Sequence, residues 1–155
     1  MPANSKTIIV DTSCLIALSK INQLSLLVNL FEHVIITREV QKEFGDDLPT
    51  WIALRSPKSK SPKQSLNKIL DPGEASCIAL AQEIENSVLA LDEYRARKIA
   101  AESGLPFIGT LAILHLGKEN GLINSIKPLV LSLVDSGFRV SPLLVTTILK
   151  KANEN

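Results

Sequence analysis

Short apolar runs alternate with segments of helical periodicity along the chain, and no other feature limits its fold as much. TIIVD (Thr7 to Asp11), VIIT (Val34 to Thr37), SVLALD (Ser87 to Asp92) and PFIG read as strands, and WIALRS is a candidate for one more. Between and after them, apolar residues recur at helical spacing. INQLSLLVNLF places Ile21, Leu24, Leu27, Val28 and Phe31 on one face, and REVQKEF, ASCIALAQEI (Ala75 to Ile84), EYRARKIAAES and LAILHLGKENG follow as helices. INSIKPLVLSLVDSG and SPLLVTTILKK predict two terminal helices, the second with Ser141 as N-cap and Pro142 at the first helical position. Strands separated by helices build an α/β fold around a mostly parallel sheet, here of four to five strands. No internal repeat or second domain is visible, so residues 1–155 read as one domain.

Within this pattern one residue stands out. Asp11 lies between the apolar runs Ile8–Val10 and Cys14–Leu18. A carboxylate there costs several kcal/mol unless it is paired, hydrogen-bonded or bound to a cation. In open α/β sheets function collects at the C-terminal ends of the strands, and there this chain is acidic. Asp11 ends the first strand. Asp92 ends SVLALD and Glu93 follows it. Glu39 and Glu43 share a face of the helix after VIIT, and Glu74 begins the helix in DPGEAS. Thr12, Ser13 and Thr110 add hydroxyls.

Each acid also has a plain structural reading. Asp11 could cap the next helix. Asp71, Pro72 and Glu74 make a capping set, Glu39 suits a first helical turn, and Glu43 could be solvated surface. Arg95 and Arg97 could be surface charge or partners for the acids. What these readings leave unexplained is the gathering of several acids at one sheet edge. Crowded carboxylates raise one another's pKa. A divalent cation removes the conflict, and all-oxygen donors suit Mg²⁺ or Mn²⁺.

Composition narrows the classes further. The net charge of +1 neither favours nor excludes a nucleic-acid partner. No apolar run reaches the ~18 residues of a membrane span. MPANSKTIIV has no signal-peptide apolar region, so a soluble cytoplasmic protein is expected. Cys14 and Cys77 read as small core residues, and His33 and His115 have no partner at zinc-ligand spacing. The segment PTWIALRSPKSKSPKQSLNK is the compositional anomaly. It carries Arg55, Lys58, Lys60, Lys63 and Lys68 with no acid among them.

At these residues the chain resembles the PIN domain family, metal-dependent nucleases that include the VapC-type toxins of bacterial toxin–antitoxin pairs. The resemblance rests on IIVDTSCLIAL, TREVQKEF, DPGEASCIALA and VLALDEYRARKIAAESGLPFIGT, in that order. The last two are similar to one subgroup, with its GEA helix start, its strand-end Asp followed by an acid and a spaced Arg, and its GT. The resemblance implies a three-layer α/β/α fold and an acidic site of Asp11, Glu43, Glu74 and Asp92. Asp11 and Asp92 would be the main metal ligands, and Glu43 and Glu74 would bind directly or through water. Thr12, Ser13 and Thr110 would orient ligands or water. Glu74 stands where many relatives have Asp, and Glu93 adjoins the fourth position. A homodimer and a small antitoxin are the protein partners implied.

The expected activity is Mg²⁺- or Mn²⁺-dependent hydrolysis of RNA, with Arg55, Lys58, Lys60, Lys63 and Lys68 holding the phosphate backbone. The alternative is a binding module for nucleic acid or protein that kept the fold and lost turnover. A haloacid-dehalogenase-type phosphatase wants an acid where Ser13 stands, and nucleotide folds want a Gly-rich first turn, whereas no Gly occurs before Gly45.

Overall fold

The computed structural model describes residues 6–155; residues 1–5, and with them most of the stretch preceding the first strand in which no signal peptide is expected, lie outside the described residues. Five strands form one all-parallel sheet in the order β3-β2-β1-β4-β5. They are β1 (Thr7–Val10), β2 (His33–Ile36), β3 (Ile52–Leu54), β4 (Ser87–Ala90) and β5 (Phe107–Ile108). The helices are α1 (Thr12–Lys20), α2 (Leu26–Leu30), α3 (Arg38–Phe44), α4 (Lys60–Leu66), α5 (Pro72–Ala81), α6 (Tyr94–Glu102), α7 (Thr110–Glu119), α8 (Lys127–Asp135) and α9 (Pro142–Lys151). Helices flank the sheet, which makes the three-layer α/β/α arrangement that the resemblance implies, around the parallel sheet read from the alternation.

The central strands β1 and β4 are buried at every position, so neither shows the alternation of a half-exposed strand. They pair in register from Thr7↔Ser87 to Val10↔Ala90. Helix α5 packs against both strands and against α3 and α4. Every residue from Gly73 to Ala81 is buried, as befits a helix that is apolar on all sides. On the other hand α7 packs against α1, α2 and α9. The core is Leu, Ile, Val and Ala, with Cys14 and Cys77 free and buried in it as read from the sequence. No helix among the described residues is long and apolar enough to cross a membrane.

Two parts of the sequence reading change. INQLSLLVNLF is not one helix: α1 ends at Ile21, Asn22 takes a left-handed φ of 57°, and the short α2 follows. Ile21, Leu27 and Phe31 are still buried, so the apolar spacing marked the core correctly but not the break. The lysine-rich connection holds the edge strand β3 and helix α4. Helix α4 has no buried residue and therefore no apolar stripe to betray it. Helix α5 begins at Pro72, three residues earlier than its apolar run, on the capping box made by Asp71 and Glu74.

A carboxylate ties the last helices together. Glu154 accepts from the Ser125 hydroxyl at 2.5 Å, from the backbone N–H groups of Ile126 (2.9 Å) and Lys127 (3.0 Å), and from Lys118 Nζ at 2.9 Å. It caps α8 from the far end of α9, where the helix dipole favours a negative charge. Burial pushes its pKa up, but these four donors outweigh that and hold it at about 2, against 4.5 ordinarily. Ionised Glu154 therefore stabilises the fold fully above pH 4.5, and the contribution fades as pH falls toward 2. Glu154→Gln should lower the thermal midpoint by several degrees at neutral pH, with the gap to wild type closing in acid; a pH series of melting curves checks this.

Candidate active site

The chain builds β1, moves outward to β2 and β3, then returns to lay β4 on the other side of β1. Strand order reverses between β1 and β4, and open α/β sheets form a crevice at such a point beyond the strand ends. Asp11 leaves β1 and Asp92 follows β4, so the two acids stand on either side of the reversal. The Asp11 backbone N–H donates to the Ala90 carbonyl at 3.2 Å across it.

Asp11 occupies the N-cap position of α1 but its side chain makes no capping bond. It is 4% exposed. Burial pushes its pKa from 3.8 up to about 7; the Thr12 backbone N–H works against this, and the charges of Asp71, Glu43 and Asp92 add to it. Glu74, 8% exposed, is likewise pushed up to about 7, first by burial and then by Asp71 and Asp11. Its burial follows from that of α5 as a whole. Glu43 on α3 is raised by partial burial and then by Asp71, although the Thr12 hydroxyl and the Gly73 backbone restrain the shift.

Asp71 is the acid that sequence reasoning left out as a site residue. It does cap α5, accepting the Glu74 N–H at 2.9 Å. Yet among neighbouring charges its own acts most strongly on Asp11, Glu43 and Glu74. The capping motif was legible in DPGE, and it concealed this second effect.

Two close approaches assemble this side of the site. A side chain on Gly73 would run into the Glu43 carboxylate and lie 3.2 Å from Thr12 Oγ1. The bare Cα of Gly73 leaves room for the Glu43 carboxylate, as placed, beside Thr12 and the start of α5. The Thr12 hydroxyl is buried there against the Glu43 carboxylate. Behind them runs a relay of hydroxyls. Ser76 donates to the Gly73 carbonyl at 2.8 Å, so the single Thr37 proton must supply the 2.7 Å bond between Thr37 and Ser76. Thr37 meanwhile accepts the Val40 N–H at 3.2 Å as the N-cap of α3. The relay joins the helices that carry Glu43 and Glu74.

Asp92 is held differently. Thr110 donates to it twice, from N–H at 2.9 Å and from its hydroxyl at 2.6 Å. Arg97 lies 3.8 Å away, anchored by a 2.6 Å bond to the Leu91 carbonyl and lying over the Phe107 ring at 5.3 Å. Gly109 has no Cβ to obstruct Arg97 and Asp92. Glu93 caps α6 by accepting the Ala96 N–H at 3.1 Å, while its charge still raises the pKa of Glu74. Ser13 is exposed and lines a cleft with Asp92 and Glu93. Arg95 donates instead to the Ile69 carbonyl at 3.3 Å.

The basic segment is partly neutralised. Lys63 pairs with Glu39 at 3.0 Å. Glu83 accepts the backbone N–H groups of Lys58 and Ser59, and the charges of Lys58 and Arg55 help hold its carboxyl below the usual range. Lys60 and Lys68 remain exposed.

All the candidate donors are hard oxygens, and the buried Thr12 hydroxyl sits among them. Charge and donor type fit a divalent cation. As the side chains are placed, no three Asp, Glu, His or Cys among the described residues close on a common point. Mg²⁺ tolerates this, since it keeps several waters and takes one or two carboxylates.

A protein-family model described as PIN domain matches residues 7–154, taking in every element from β1 to α9. None of the curated proteins searched matches the chain.

Two outcomes follow from this geometry. In metal-free buffer the protonated form of Asp11 stabilises the fold fully below pH 3.8, and that stability is lost as pH rises through about 7. Asp11→Asn should therefore gain on wild type in unfolding free energy across this window, as denaturant titrations at several pH values would show. Thr37→Val removes a cap and a buried donor together, and chemical denaturation should register a loss of about 1–2 kcal/mol.

Proposed function

Since the chain belongs to the PIN-domain family, whose members are commonly nucleases, we propose that it is a metal-dependent endoribonuclease of the VapC-like toxin type. One observation carries this reading: Asp11, Glu43 and Glu74 are made reluctant to ionise by burial and by neighbouring acids at the strand-order reversal. Such an arrangement costs stability and is relieved by a cation.

Asp11 and Asp92 would hold Mg²⁺ or Mn²⁺, with Glu43 and Glu74 binding it directly or through water. When bound, the cation supplies positive charge that lowers the pKa of water and polarises a phosphodiester. Thr110 keeps the Asp92 carboxylate in one orientation through its two bonds. Gly73 keeps room for Glu43 beside Thr12. The exposed Lys60 and Lys68 are free to meet a phosphate backbone, together with Arg55, Lys58 and Lys63 at greater electrostatic cost. This reading places the protein in the cytoplasm with its RNA. Exposed Leu131, Val134, Leu143 and Leu144 on α8 and α9 offer apolar surface to a second copy or to a small antitoxin. The domain would be one unit over residues 1–155.

A second reading, a binding module without turnover, is favoured by the failure of the carboxylates to close on one point. Metal response separates the two. In EDTA-stripped buffer, Mn²⁺ should raise the wild-type unfolding midpoint, approaching about 2.7 kcal/mol of stabilisation at a hundredfold excess over Kd. Asp11→Asn should respond weakly, and its cleavage of a mixed RNA pool should drop to background. An unresponsive wild type would favour the binding module.

A further inference from the structure

Two clefts meet beside Asp92, and neither touches the lysine-rich segment. One has a volume of about 380 Å³ and is lined by Arg97, Phe107, Phe138, Arg139 and Lys151. The other, about 480 Å³, is lined by Ser13, Lys20, Phe138 and Arg139. Both include Asp92, so the pair Phe138–Arg139 forms a ridge between two hollows that share one edge of the acidic site. The fold sets that ridge firmly. Gly137 takes φ +97° after α8, and the Phe138 N–H closes the helix end on the Leu133 carbonyl at 3.0 Å. Phe138 is half-buried against the core, and Arg139 is exposed beside it.

The charge of this surface favours a polyanion. Among the described residues Lys20, Arg139 and Lys151 take part in no salt bridge. The acids of the clefts other than Asp92 are Glu93 and Glu119. Glu93 is occupied in capping α6, and Glu119 stands 3.7 Å from His115. By contrast, three of the five cations in the lysine-rich segment already face Glu39 or Glu83.

We propose that Phe138 and Arg139, with Lys20 and Lys151 on either side, grip single-stranded RNA where it enters the Asp92 flank of the site, a base stacking on the Phe138 ring and the backbone meeting the cations. This rests on the nuclease reading and names the surface that would hold its substrate. A duplex keeps its bases stacked and offers the ring nothing to hold, whereas unpaired bases stack on aromatic and guanidinium planes.

The test is fluorescence anisotropy with a labelled unstructured RNA oligonucleotide and its duplex, in EDTA, over a range of salt. Wild type should bind the single strand more tightly than the duplex. Arg139→Ala should weaken binding and reduce the salt slope by about 0.7, the value of one single-strand phosphate contact. Phe138→Leu, which keeps the apolar packing, should weaken binding roughly tenfold with the slope unchanged, while Phe138→Tyr, which keeps the ring, should match wild type. The double variant Lys60→Ala/Lys68→Ala should weaken single strand and duplex alike, leaving the preference for the single strand in place. Undiminished binding by Arg139→Ala and Phe138→Leu would overturn the proposal. So would equal affinity for the duplex, the absence of single-strand binding, or loss confined to the Lys60/Lys68 variant. The assay holds no metal, so its failure is distinct from a missing Mn²⁺ response, which concerns the carboxylates alone.

Discussion

Much of this molecule depends on where it buries negative charge. Asp11 ends the central strand of a sheet covered on both faces, and Glu74 opens a helix that is buried along its length. Water reaches neither freely, and each carboxyl therefore holds its proton to about pH 7. An apolar fold gains nothing by this. The surrounding residues hold the conflict in place: Gly73 gives up a side chain so that Glu43 can approach, and the Thr37–Ser76 relay fixes α3 against α5. Natural proteins accept such local cost where a site requires it.

The two sides of the crevice treat their acids in opposite ways. On the β1 side, Asp11 lies in the field of Glu43, Glu74 in that of Asp11, and all three share Asp71 as a common neighbour. On the β4 side, Asp92 already has the Thr110 N–H, the Thr110 hydroxyl and the Arg97 charge. A cation bound as proposed would find one carboxylate oriented beforehand and several others that gain most from being neutralised. The first would supply geometry and the others driving force.

What the chain revealed in advance was its short-range grammar. Apolar runs located the strands of the sheet, and strand-end acids pointed to the crevice. SPLL and DPGE marked helix starts that the structure keeps, with Ser141 accepting the Leu144 N–H. The break after Ile21 escaped because an apolar stripe continues through it. Helix α4 escaped because none of its residues is fully buried. Residues acting across long separations were least visible. Thr37 and Ser76 meet across 39 positions, and Glu154 reaches back to Lys118 and Ser125. Asp71 was visible but half understood, since a cap and a source of field can be the same carboxylate.

The strand order also sets a timetable. The strand at the centre of the sheet is made first, and the sheet then grows outward to one edge before β4 arrives on the other side. Asp11, Glu43, Glu74 and Asp92 come from successive units of chain, and Thr110, which orients the last of them, comes later still. A chain still emerging from the ribosome has therefore made β1 long before it can build the crevice beside it. A site assembled in this order stays incomplete until most of the chain has been made.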